Sequence, residues 1–155
     1  MIRKAEKKDI DSLVKLVILF EEAIDEIYQG DFGEIEINKD VIKQIMIEGF
    51  DDKYHTILVV EENDQLIGFG DIWMYPEFGH AGFAVYLHNF FIKKEFQNRG
   101  YGKKLLKELI DIARSKKATA FHITTSFKNK KAIALYKKMG IDDEGLLLDK
   151  VLTYD

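Results

Sequence analysis

The stretch from Phe83 to Lys117 constrains this chain more than any other, because the period of its apolar residues changes there and two glycines mark the change. From Phe83 to Ile92 the residues are mostly aromatic, β-branched or apolar, as in a strand. From Gly102 to Lys117 the apolar positions Leu105, Leu106, Leu109, Ile110 and Ala113 recur at helical spacing. A strand that turns straight into a helix leaves the first N–H groups of the helix without partners inside it, and together they can point at an anion. Glycines at such a turn let a phosphate lie against the backbone, where a Cβ would stand in its way. The junction therefore predicts a phosphate cradle.

The remaining segments supply a sheet and its cover. A short strand is expected at Ile2 to Lys4, followed by a helix from Asp9 to Ile27 with Asp9 as its N-cap, since Ile10, Leu13, Val14, Leu16, Val17 and Phe20 share one face. After a loop from Gly30 to Asn38, a second helix runs from Lys39 to Gly49. Ile57 to Val60 and Leu66 to Met74 flank the turn Glu62-Asn63-Asp64-Gln65 and read as a hairpin, which the strand Phe83 to Ile92 extends to three antiparallel strands. Beyond the long helix come a strand at Ala120 to Ser126, a short helix at Lys130 to Lys138 closed by Gly140, and a last strand at Leu146 to Leu152. The order β-α-α-β-β-β-α-β-α-β predicts an α/β chain with a central mixed sheet and helices on both faces. With 155 residues, 46% of them hydrophobic, one domain over residues 1–155 is expected.

Composition narrows the chemistry. There is no cysteine, so disulfides, thiolate metal sites and a cysteine nucleophile are excluded. That agrees with a reducing cytoplasm, and neither a signal peptide nor a membrane span is expected from the apolar runs. The net charge of -4 hides an asymmetry. Acids crowd Glu21 to Glu62, including Glu22, Asp25, Glu26, Asp51 and Asp52, whereas Lys93 to Lys117 and Lys128 to Lys138 are basic. A basic side suits an anionic ligand and an acidic side a cationic one, although single charges at such places are commonly just solvated. No nucleic-acid motif is present, and His55, His80 and His122 lack metal-ligand spacing, so neither partner is expected.

The junction is not a Walker loop, because no Ser or Thr follows the glycine-lysine pair. Nor is it a dinucleotide fingerprint, because Leu105 stands where the third glycine belongs. Gln97, Gly100 and Gly102 follow the pattern Q/R-x-x-G-x-G/A, and downstream Asn129, Ala132, Tyr136 and Gly140 form a second motif in the same order. On these two motifs the chain resembles the GNAT superfamily of acyl-CoA N-acyltransferases over nearly its whole length.

The resemblance implies a GNAT fold and an N-acetyltransferase that moves an acetyl group from acetyl-CoA, its cosubstrate, to a primary amine of a small molecule or peptide by direct attack. It implies that Phe90, Phe91 and Ile92 offer backbone groups to the pantetheine arm and thioester. Gln97, Asn98, Arg99, Gly100, Tyr101, Gly102 and Lys103 would hold the diphosphate, Asn129 would bond to the pantetheine region, and Tyr136 would bring its hydroxyl to the sulfur. A phenol with an ordinary pKa of about 10 suits that proton transfer. Tyr136 also fits as a core aromatic beside Ile133, Leu135 and Met139.

On the acceptor side, Tyr86-Leu87-His88-Asn89-Phe90-Phe91-Ile92 looks similar to a strand of polyamine and thialysine acetyltransferases, with His88 and Asn89 where an acidic pair stands there. His88 is a candidate base or a structural histidine, with Glu22, Asp25 or Asp71 acting through water as the alternative base. Strand alternation puts His88, Phe90 and Ile92 on one face and Asn89 and Phe91 on the other. The expected form is a monomer or homodimer. A second class of function is a CoA-binding regulatory module without turnover, which would need the phosphate loop but not the proton donor.

Overall fold

The computed structural model describes residues 1–28 and 37–145. The elements are β1 (Ile2–Lys4), a short 3-10 turn at Lys7–Asp9 leading into α1 (Ile10–Tyr28), α2 (Lys39–Gly49), β2 (His55–Glu62), β3 (Gln65–Glu77), β4 (Gly82–Ile92), α3 (Tyr101–Ser115), β5 (Phe121–Ile123) and α4 (Lys130–Lys138). The strand expected at Leu146 to Leu152, and most of the loop expected from Gly30 to Asn38, lie outside the described residues.

The five strands stand in the sheet in chain order. The pairs β1–β2, β2–β3 and β3–β4 are antiparallel and β4–β5 is parallel, so the sheet is mixed as expected. Asn63 and Asp64 both adopt positive φ (49° and 60°), the tight turn that keeps β2 and β3 in a twisted hairpin. Helix α4 ends with Gly140 at φ 79°, its N–H bonded to Lys137 C=O while Ile141 N–H reaches Tyr136 C=O, a left-handed helix stop.

Alternation along the strands divides the core in two. Leu58, Val60, Ile67, Ile72, Val85, Leu87 and Ile92 face α3 and α4, where Leu105, Leu106, Leu109, Ala113 and Tyr136 meet them. Ile57, Val59, Leu66 and Phe69 face the other way, onto Leu13 and Leu16 of α1, with Phe20, Met46, Phe50 and Phe91 at the edges. Helices thus cover both faces. Helix α3 lies close against its face: a Cβ added at Gly70 would come within 2.9 Å of Leu109 Cδ1, so the glycine permits that approach.

Asp9 is not the N-cap of α1. A 3-10 turn precedes the helix, and the Asp9 carboxylate reaches back to accept the N–H of Glu6 at 2.8 Å. It also receives both arms of the Arg3 guanidinium, at 2.7 and 3.0 Å, while Arg3 Nε donates to Glu61 at 2.7 Å. One arginine on β1 therefore ties the entry of α1 to β2. The Arg3 hydrogen bond holds the Asp9 carboxyl below its ordinary value, against an opposing push from burial. A carboxyl depressed in the folded state stabilises the fold above its unfolded pKa, and the contribution disappears as pH falls through the folded value. Asp9→Ala is expected to cost about 2 kcal/mol at neutral pH, in urea titrations. The gap between variant and wild type should close once the pH is well below the ordinary aspartate value of about 4.

Candidate active site

The pairing of β4 with β5 ends at Leu87 and Ile123, and from His88 to Ile92 the strand has no ladder partner on that side among the described residues. Strand β5 itself ends at Ile123, and the edge of β4 beyond Leu87 forms a splay that is open on that side among the described residues. In the same place β4 carries an extra residue relative to β3: Asp71 is opposite Asn89 and Ile72 is opposite Leu87, so His88 has no counterpart and forms a β-bulge.

The bulge changes which residues point their backbone at which neighbour. Before it, Val85 N–H bonds to Ala120 C=O on the β5 side. After it, Lys93 N–H bonds to Ile67 C=O at the edge of β3, so by alternation Phe91 addresses β3 as well. The N–H and C=O of Phe90 and Ile92 are left to face the splay. The C=O of Ile92 does so, accepting from Gln97 Nε2 at 2.8 Å.

The bulge also corrects the expected alternation. Phe90 and Ile92 belong to the core under α3, but His88 lies on the opposite side with Asn89, whose Nδ2 meets His88 Nδ1 at 2.9 Å. Two consecutive residues share a side because the extra residue breaks the period of two. His88 is exposed, and it stands near enough to α1 to act electrostatically on the carboxyl of Glu21. Phe20, packed on Phe69 and Phe91 with ring centroids 6.1 and 5.9 Å away, sets that turn of α1 alongside the bulge. Burial pushes the Glu21 carboxyl up from its ordinary value, with His88 opposing.

Past Ile92 a single 3-10 turn, Lys94–Phe96, leads into the loop. Asn98 adopts φ 61° and Gly100 φ 85°, two left-handed residues around Arg99. Asparagine tolerates that region and glycine takes it at no cost. Gly100 is the N-cap of α3 and supplies no side-chain cap, and the first bond of the helix is Lys104 N–H to Gly100 C=O. The N–H groups from Gly100 to Lys103 thus lie before the first helical bond, at the positive end of the helix dipole. A Cβ added at Gly100 would meet nothing within 4 Å, so the space that a side chain there would occupy is open. Gly102 plays a different part, facing Phe90 and Leu135 at ordinary contact distance.

The other predicted residues converge from several elements. Gln97 is a clasp, its Nε2 on Ile92 C=O and its Oε1 taking a 2.6 Å bond from Lys131 on α4. Tyr101 donates its hydroxyl to Glu62 at the β2–β3 hairpin and so braces the start of α3. Lys103 and Arg99 are exposed, the latter with its guanidinium 5.3 Å from the Phe96 ring centre. Asn129 uses Oδ1 to cap α4, accepting Ala132 N–H at 3.2 Å, which leaves Nδ2 as the donor it can offer elsewhere. Tyr136 is 9% exposed and meets the Phe90 ring edge to face, centroids 6.2 Å apart. It is thus a core residue that also lies beside the splay.

Residues 21–141 match the model of the acetyltransferase (GNAT) family, well over half of the chain. The chain belongs to the GNAT acetyltransferase family. Over 152 residues it is 23% identical to the thialysine N-epsilon-acetyltransferase of Sus scrofa, covering 92% of this chain and 84% of that protein. Over 97 residues it is 33% identical to the spermine/spermidine N(1)-acetyltransferase of Bacillus subtilis, covering 61% of this chain and 63% of that one. Among solved structures, a predicted acetyltransferase with acetyl-CoA from Clostridium acetobutylicum superposes with a TM-score of 0.77 over 97% of this chain and 95% of the other, at 22% identity, which is a likeness of fold. This GNAT enzyme is therefore an N-acetyltransferase by family and by relatives, and no described helix is long and apolar enough to cross a membrane.

Three features of the site were not legible in its sequence. One is that Glu21 on α1 lies within electrostatic reach of His88 on β4. Another is the clasp formed by Gln97 and Lys131. The third is the place of Asp71, which is 4% exposed and bonded on both oxygens. A lone acid inside the apolar run from Leu66 to Met74 was the available signal for it.

Proposed function

We propose that this enzyme transfers the acetyl group of acetyl-CoA to a primary amine of a small molecule or peptide, by direct attack within a ternary complex. The observation that carries the reading is the alignment of one open seam: uncapped amides at the start of α3, the splay beside Phe90 and Ile92, and Tyr136 at its inner end. The residues fit the cosubstrate. The open space before Gly100 suits a diphosphate on backbone N–H groups, with Lys103 and Arg99 adding charge. Phe90, Phe91 and Ile92 continue along the splay, where free strand groups suit the amides of pantetheine in the manner of an added strand. Asn129 Nδ2, left over from the α4 cap, is the donor offered to the pantetheine region.

In the reaction the amine lone pair attacks the thioester carbon, the C–S bond breaks, and the sulfur leaves with its electron pair. The N–H of Phe90 is aimed to meet the charge that develops on the carbonyl oxygen. Tyr136 donates its proton to the departing sulfur. The amine has to lose a proton, and Nδ1 of His88 already accepts from Asn89. The proton therefore passes, through water, to Glu21, the half-buried acid whose raised pKa makes it the better base. Glu22 and Asp25 are exposed, and Asp71 has its oxygens engaged, so none of the three alternatives from the sequence competes with it. His88 borders the acceptor molecule away from its attacking nitrogen, as a contact residue for the substrate.

The turnover-free reading, a CoA-binding regulator, is favoured by no observation here.

Acetyl-CoA at ~100 times its Kd is expected to raise unfolding stability by about 2.7 kcal/mol, and Gly100→Glu should remove that gain. The substitution places a side chain and a negative charge before the amides, and an unchanged gain in the variant would refute the cradle. Tyr136→Phe should lower kcat while acetyl-CoA affinity stays within a few-fold, because ring packing is kept and one hydroxyl is lost. A wild-type kcat in that variant would make Tyr136 a core residue only. Glu21→Gln should lower kcat and abolish the fall in rate at the acid end of the pH profile. Because a carboxyl pKa raised on folding means the charged form is penalised, the variant should be no less stable than wild type at pH 7. A Glu21→Gln enzyme that keeps the acid limb would place the base elsewhere.

A further inference from the structure

Asp71 lies in the middle of β3, flanked by Gly70 and Ile72, and is almost wholly buried. A carboxylate in such a place persists only if its oxygens are engaged. Oδ1 accepts the backbone N–H of Asn89 at 3.1 Å and its Nδ2 at 2.7 Å. Oδ2 meets Nε2 of His55 at 2.8 Å, and the His55 ring is stacked on Trp73 with centroids 4.1 Å apart. The carboxylate is thus fixed from both sides.

An ionised carboxylate only accepts hydrogen bonds, so the atom of Asn89 that faces it has to be the amino nitrogen. That nitrogen has two hydrogens. One goes to Asp71 and the other to Nδ1 of His88, 2.9 Å away. Turning the Asn89 amide over would set its oxygen against Asp71 Oδ1, and the repulsion holds it in place. A ring nitrogen that accepts carries no proton, so the neutral His88 ring keeps its proton on Nε2.

Resting on the acetyl-transfer reading above, we propose that Asp71 is a positioning residue of the acceptor side: acting through Asn89, it holds His88 in the tautomer with a bare Nδ1 and a protonated Nε2. His88 then presents an N–H donor at the bulge instead of a lone pair. The same carboxylate takes up the Asn89 N–H at the place where the extra residue interrupts the ladder, so it also steadies the bulge that turns Phe90 toward the splay. Asp71 touches neither the amine nor the thioester in this account; it sets the groups that do.

The test reads the tautomer directly. In uniformly 15N-labelled protein at about pH 8.5, above the ordinary imidazole pKa of ~6.5, long-range 1H–15N spectra distinguish the two ring nitrogens. The His88 signals are identified by their loss in His88→Gln. The wild type is expected to show a pyridine-like Nδ1 and a pyrrole-like Nε2. Asp71→Asn frees the Asn89 amide to turn, and both tautomers should appear. The double variant Asp71→Asn/Asn89→Asp keeps one carboxylate and one carboxamide in the pair but moves the acceptor next to Nδ1, so the tautomer should reverse. Both variants should lose ~10-fold or more in kcat with acetyl-CoA Kd unchanged, whereas a merely structural role would lower the melting temperature and weaken acetyl-CoA binding together. A wild-type Nδ1–H tautomer, or one that neither variant alters, overturns the proposal, as does an unchanged kcat in both. If Asp71→Asn fails to fold, the wild-type spectrum and the double variant still decide. Absence of acetyl transfer by the wild type would instead refute the proposed function and leave the tautomer result standing.

Discussion

A strand presents its backbone groups alternately to its two neighbours, and β4 has one residue more than β3 can match. That single extra residue, His88, is the constraint on which the site depends. Without it the odd-numbered amides that bond to β5 at Val85 would continue to point the same way, and those of Phe90 and Ile92 would be consumed by β3. With it, the strand resumes its pairing with β3 beyond the bulge while its other edge opens just where β5 ends. The exposed backbone that a sheet normally has to hide is the surface proposed to bind the cosubstrate.

Opening a seam in a sheet has to be supported from outside it. The Gln97 clasp joins the last carbonyl of β4 to α4 through Lys131. Tyr101 joins the first turn of α3 to the hairpin at Glu62. Gly70 lets α3 settle against the sheet at Leu109. On the opposite face, Phe20 rests on Phe69 and Phe91, and Asp71 gathers the amides that the bulge has displaced. The two halves of the core therefore have different tasks. The α3 and α4 side carries the uncapped amides and Tyr136, the groups proposed to hold the cosubstrate and donate the proton, and the α1 side carries His88 and Glu21, the groups proposed for the acceptor.

Much of this was readable beforehand. The hairpin turn at Asn63 and Asp64, the long helix after Gly102 and the stop at Gly140 each follow from local chemistry: left-handed backbone, apolar spacing, a glycine beyond the last turn. Asp9 shows how a correct local signal can be assigned to the wrong task. An acid at the start of an apolar-periodic segment suits an N-cap, but Arg3 on β1, six residues earlier, draws it into a bidentate pair, and Asp9 instead closes a 3-10 turn that leads into the helix.

The sequence by itself determined the order of elements, the two-faced sheet and the uncapped glycine entry to α3, because each rests on interactions between residues close along the chain. It also carried the two motifs by which the family is recognised. Only the tertiary structure decided that His88 sides with Asn89 and not with Phe90, since a bulge exists only relative to a partner strand. It alone set Glu21 within electrostatic reach of His88 and brought Lys131 to Gln97 and Asp71 to Asn89, residues separated by 67, 34 and 18 positions respectively. Such contacts are set by how sheet and helices pack, and no periodicity within a single segment encodes them.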